Sequence, residues 1–200
     1  MKPTKSLHTI ILALTLLALT ACATSKPSVE WRSESFTGKV DNIMIIGVSE
    51  DAERRYTFEN TFVEVLAANK TRAIPSRNLL PTSINLRREI VEKAIEGQQV
   101  DAVLITRVAG VRATETNSVA DFGDDYVYYN LIRRETNQAY PDEHKLFTLE
   151  SRLYDTASGE LIWSMRSETM ADAKPKENIE NQIRLTTRAL TKSGLIAAKP

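Results

Sequence analysis

Only a few side chains in this sequence could do chemistry, and they sit in separate settings. Cys22 is the one cysteine, and a cysteine thiolate is a strong nucleophile suited to thioether formation. His144 is the only histidine after residue 21 and follows Asp142 and Glu143. That trio could touch a metal, but a single imidazole in a polar turn is usually just solvated. No Gly-x-Ser-x-Gly elbow is present to build a serine triad on His144. Asp121, Asp124 and Asp125 bring the oxygen ligands that calcium takes, about six or more of them. Their spacing matches no calcium loop and reads equally well as a solvated turn. Gly47 stands between an apolar run and a helix start, a place where phosphates often bind. It is a single glycine, not G-x-G-x-x-G, and Glu50, Asp51 and Glu53 would repel a phosphate there. Those acids are better read as ordinary residues of a helix start. The expectation is therefore no catalytic residue, no metal site, no nucleotide and no cofactor.

Tyr126, Tyr128 and Tyr129 form the one aromatic cluster. Exposed on a strand, they would make a partner-docking face. Turned inward, they would be core and cross-strand pairs.

Composition narrows the classes further. The 200 residues carry 26 basic and 26 acidic side chains. Residues 1–21 hold Lys2 and Lys5 and no acid, so the remainder is slightly acidic. No basic excess exists to drive nucleic-acid binding. If Cys22 is modified, no thiol is left for disulfides, CxxC zinc sites or cysteine catalysis. The chain shows no internal repeat, and its length suits one domain with an ordinary core plus a tether.

The elements that must position these residues follow from apolar periodicity. Ile43-Met44-Ile45-Ile46-Gly47-Val48 is a continuous run suited to a central strand covered on both faces. A helix begins near Ser49 to Asp51, with Phe58, Phe62, Val65 and Leu66 as its stripe and Asn69 as its stop. Thr71–Ile74 is a short strand, and Pro75 places it at an edge. A second helix spans Asn85–Glu96, its stripe being Leu86, Ile90, Val91, Ala94 and Ile95, with Gly97 ending it. Ala102–Val108 is the next strand. Tyr126–Arg133, Lys145–Tyr154 and Glu160–Thr169 read as further strands. The last two make a hairpin around Asp155-Thr156-Ala157-Ser158-Gly159. Their alternation, Phe147, Leu149, Ser151 and Leu153 against Thr148, Glu150 and Arg152, implies one wet face. Leu161, Trp163 and Met165 alternate likewise, so Trp163 should be buried. A last helix covers Asn178–Ser193, with Ile179, Ile183 and Leu190 inward, Gly194 in the left-handed position and Leu195 folding back on Leu190. Trp31 and Phe36 belong either to an early strand or to a segment laid on the core. The fold class is α/β: a mixed sheet with a β-α-β-α-β N-terminal half, an antiparallel β-meander and a C-terminal helix.

The N-terminus has its own pattern. Lys2 and Lys5, an apolar stretch from Ile10 to Leu19, and the small Thr20 and Ala21 follow the order of an export signal. The apolar stretch is roughly half of the ~20 residues that a membrane-spanning helix needs. Leu19-Thr20-Ala21-Cys22 resembles the lipobox of bacterial lipoproteins. That resemblance implies a diacylglyceryl thioether on Cys22, cleavage before it, and a membrane partner reached through the lipid. Ala23 in the next position implies the outer membrane, on its periplasmic side. Ala23-Thr24-Ser25-Lys26-Pro27-Ser28 reads as a flexible tether.

A second resemblance lies in Leu153–Trp163 and in Val100-Asp101-Ala102-Val103-Leu104-Ile105. These stretches resemble envelope lipoproteins of the curli-secretion type, the lipoprotein activators of penicillin-binding proteins, and the N-terminal domain of TolB. The order of elements agrees over roughly residues 40–196. The chain thus divides into a signal at 1–21, a lipidated terminus and tether at 22–39, and one α/β domain at 40–197. The resemblances imply a non-enzymatic binding or assembly accessory with an envelope protein as partner, the alternative being a hydrolase of cell-wall material. One fold hosts many roles, so the two are separated by experiment. His144→Ala should leave melting temperature, localisation and cellular role unchanged. A loss of the role at normal protein level and normal melting would put the hydrolase ahead.

Overall fold

The computed structural model describes residues 26–81, 86–113, 119–121, 145–170 and 175–199. In chain order the elements are β1 (Lys26–Arg32), β2 (Asn42–Gly47), α1 (Ala52–Ala68), β3 (Arg72–Pro75), α2 (Arg88–Ile95), β4 (Ala102–Ala113), β5 (Val119–Asp121), β6 (Lys145–Asp155), β7 (Leu161–Met170) and α3 (Pro175–Lys192). Described strands run in the order β1-β7-β6-β4-β2-β3, and β5 pairs with β4. β2 is parallel to β3 and β4, whereas β4, β6, β7 and β1 pair antiparallel. This is the mixed α/β sheet expected, with crossover helices in the first half and a strand pair and helix closing the second.

Helices cover both faces, which is why β2 is apolar from Ile43 to Ile46. Ile43 and Ile45 point to a core with Phe58, Phe62 and Leu66 of α1 and Ile183 and Leu190 of α3. Met44 and Ile46 point the other way, to Val91 of α2, Leu80 and Val103. Asp51 caps α1, its carboxylate accepting from the backbone N–H groups of Glu53 and Arg54 at 2.9 and 3.1 Å. Asn69 closes the helix as its C-terminal cap, and β3 ends at Pro75 on the edge of the sheet.

The C-terminal helix ends as its sequence implies. Gly194 has φ +71°, Gly194 N–H donates to Thr191 C=O at 3.0 Å, and Leu195 N–H donates to Leu190 C=O at 3.0 Å. That pair of bonds is the Schellman pattern, which needs a residue free to adopt positive φ. Leu195 C=O then accepts from Val40 N–H at 2.9 Å, joining the end of the domain to the entry of β2.

The first strand and the hairpin register depart from the expectation. Residues 26–32 form the edge strand β1, which takes in the end of the tether expected at 23–28 and makes Trp31 part of an early strand, one of its two expected settings. Their partner β7 lies more than a hundred residues downstream, so no local pattern announces the pairing. The hairpin register also slips between Leu153 and Tyr154, which pairs Tyr154 with Leu161. A bulge places an extra residue on one strand, and here Ile162 and Trp163 are both buried in the same core.

Trp163 is 0% exposed, and its indole Nε1 donates to Glu30 Oε1 at 3.2 Å. Trp163→Ala should lower stability by about 3–5 kcal/mol, the usual cost of truncating a buried aromatic. Urea denaturation checks this, and an unchanged midpoint would contradict the packing described.

Candidate functional site

Two charged clusters stand out among the described residues, and neither was legible as a site in the sequence. The first lies at the C-terminal ends of the parallel strands β2 and β3, where open α/β sheets place ligands. Arg55 and Glu59 of α1 are both buried. Glu59 Oε1 accepts from Arg55 Nε at 2.9 Å, Ser76 Oγ at 2.6 Å and Gly47 N–H at 3.2 Å. Its Oε2 accepts from Arg77 N–H at 3.0 Å. Arg55 also donates to Ser76 Oγ at 2.8 Å and to the carbonyls of Leu80 and Pro81. Both charges are thus surrounded by partners, as burial in low dielectric requires.

The Gly47 N–H is already given to Glu59, and the first N–H groups of α1 are given to Asp51. A phosphate would have to displace two carboxylates. Gly47 serves packing instead: a Cβ there would meet Phe58 Cδ1 at 2.9 Å, closer than real contacts allow. Apolar periodicity predicts Phe58, Phe62, Val65 and Leu66 as the α1 stripe. The buried line is Arg55, Phe58, Glu59, Phe62 and Leu66. The available signal was the i,i+4 Arg–Glu pair lying in phase with the aromatic residues.

The second cluster lies on the face of the sheet that α1 and α3 do not cover. Glu150 of β6 is 3% exposed, although alternation put it on the wet face. Arg107 of β4 donates to its Oε2 through Nε at 3.0 Å and Nη2 at 2.7 Å. Arg152 reaches both carboxylate oxygens, at 3.1 and 3.2 Å. Arg166 of β7 donates to Oε1 through Nε at 3.1 Å. Register explains the convergence, because Glu150 pairs with both Arg107 and Arg166 across its two neighbouring strands. Burial pushes the Glu150 carboxyl up. The Arg107 hydrogen bond and charge, with the charge of Arg152 and the hydrogen bond of Arg166, outweigh it and hold the carboxyl below its ordinary value. Among the described residues three guanidinium groups meet on the Glu150 carboxylate, and Arg166 is 45% exposed.

At the rim of this face, β1 presents two exposed apolar side chains, Val29 and Trp31. They occupy the positions paired with Arg166 and Ser164. The opposite side of β1 is tied down. Glu30 Oε1 accepts from Trp163 Nε1 and from Ser193 Oγ, and Arg32 donates to the carbonyls of Ser193 and Phe36. The contact with Ser193 places a guanidinium at the C-terminus of α3, where cations are favoured.

Cys22, Tyr126, Tyr128, Tyr129, Asp124, Asp125 and His144 lie outside the described residues. Asp121 falls in β5, its backbone paired with Gly110. Among the described residues no helix is long and apolar enough to cross a membrane.

The lowered carboxyl of Glu150 sets a pH signature. A depressed folded-state pKa stabilises the fold fully above the unfolded value, about 4.3 for glutamate. That stabilisation disappears as pH falls through the lower folded value. The stability gap between the wild type and Glu150→Gln should therefore be constant near neutral pH and shrink in acid. Thermal melts across pH check this, and a gap that widened on acidification would contradict the ion cluster.

No family model matches the chain, and no curated protein does. Among solved structures the chain is similar to the PelC dodecamer from Paraburkholderia phytofirmans. The TM-score is 0.48 at 10% identity, covering 83% of this chain and 96% of that one. It is also similar to lipoprotein GNA1162 from Neisseria meningitidis, with TM-score 0.38 at 14% identity, covering 77% of this chain and 96% of that one.

Proposed function

We propose that the protein is a lipid-anchored envelope lipoprotein facing the periplasm, a non-enzymatic binding or assembly accessory held at the outer membrane. The observation that carries this reading is Leu19-Thr20-Ala21-Cys22 at the end of a charged and then apolar leader. Cys22 is the residue that takes the lipid. Each buried methylene contributes about 0.8 kcal/mol, and a single acyl chain holds a protein only reversibly. Two or three chains on Cys22 would make desorption negligible.

A binding role is supported by how the described charges are used. Glu59 and Glu150, the two buried carboxylates among the described residues, are each held by guanidinium and hydrogen-bond donors. A general acid or base needs a free position for the proton it moves, and neither carboxylate has one facing solvent. The partner is a protein of the envelope, and Tyr126, Tyr128 and Tyr129 are its proposed docking residues.

Cys22→Ser should abolish incorporation of labelled palmitate. It should also leave the chain unprocessed or release it from the membrane fraction. Retention of Cys22→Ser in membranes at wild-type level, correctly cleaved and without label, would overturn the anchor.

A further inference from the structure

We propose that the outer side of β1, at Val29 and Trp31, rests on the bilayer surface with Trp31 in the interfacial zone. The inference rests on the reading that Cys22 is acylated.

Reach is the first argument. Four residue steps separate Cys22 from Lys26, where β1 begins. An extended chain covers about 3.3–3.6 Å per residue, so the start of β1 stays within roughly 13–15 Å of the lipidated sulfur's backbone. A thickness of headgroups is enough to fill that gap, and the domain cannot stand far from the membrane.

Side-chain chemistry is the second. Val29 is 60% and Trp31 46% exposed, and both alternate to the same side of β1. Tryptophan pairs an apolar ring with an N–H donor, the combination favoured at membrane–water interfaces. Beside them Arg166, which shares the Glu150 carboxylate, is 45% exposed. A guanidinium at the surface suits anionic headgroups.

Rigidity is the third. Glu30 and Arg32 fasten the other side of β1 to Trp163 and to Ser193 at the end of α3. The strand cannot roll Trp31 inward without breaking these bonds. The apolar pair is therefore presented in a fixed direction.

The chain has two tryptophans, and Trp163 is fully buried, so fluorescence reads Trp31 directly. Protein purified from membranes, with its Cys22 lipid verified by intact mass, is placed in phosphatidylethanolamine–phosphatidylglycerol vesicles carrying brominated acyl chains. The bromolipid should quench a share of the emission in the wild type and none in Trp31→Phe. Trp31→Phe should melt like the wild type, since the side chain is exposed. Acylated protein whose emission is quenched by aqueous acrylamide but not by bromolipid would overturn the contact and leave the anchor standing. If that protein instead protected Trp31 by pairing β1 edge to edge in a concentration-dependent dimer, the occupant would be a second copy and the inference would fall. A mass without acyl chains would overturn the anchor itself and this inference with it.

Discussion

The carboxylate of Glu59 sits beyond the reach of solvent and still accepts four hydrogen bonds. It touches the end of β2, the turn after β3 and its own helix. Arg55 extends the same set to Leu80 and Pro81. A buried pair of this kind contributes little net stability, but loss of one partner typically costs about 3–5 kcal/mol. The constraint is therefore one of position: α1 has one angle and one register at which both charges are satisfied. The parallel half of the sheet inherits that angle, because α1 carries Phe58, Phe62 and Leu66 into the larger core.

A second corner joins the two halves. The Asp101 carboxylate accepts from the backbone N–H groups of Asp41 and Asn42 at 3.0 and 2.9 Å. Its carbonyl accepts from Thr156 N–H, and Thr156 Oγ1 donates to the Val100 and Asp101 carbonyls. Within the hairpin loop Asp155 holds Ser158, and Gly159 has φ +71°. The two stretches that resemble envelope lipoproteins, Val100–Ile105 and Leu153–Trp163, thus meet at one point. The residues of both stretches build this corner of the sheet, a structural role that leaves function open.

The two faces of the sheet are treated differently. Beneath α3 the core holds a polar seam in which Ser167 bonds Gln182 and Thr106 bonds Ser151. On the other face, beyond the reach of α2, the sheet carries Glu150 among three arginines and ends in Trp31. Ion pairs there keep the strands in register, since Arg107, Glu150 and Arg166 lie on three successive strands.

Local pattern was enough for most elements. β2, both crossover helices, the β6–β7 hairpin, the burial of Trp163 and the Gly194 stop all follow from periodicity and turn chemistry, which act within a few residues. The lipid address proposed at Cys22 rests on a local motif alone. Tertiary structure decided the rest. β1 joins the far edge of the sheet because its partner is β7, and no neighbour in sequence foretells that. Glu150 is buried because register brings Arg107 and Arg166 to it from two other strands. Arg55 and Glu59 lie inside because their partners come from β2, the turn after β3 and the loop at Pro81. A charged residue is expected at the surface until its counter-charges are in place. Those counter-charges are supplied by contacts between distant segments, which only the folded chain brings together.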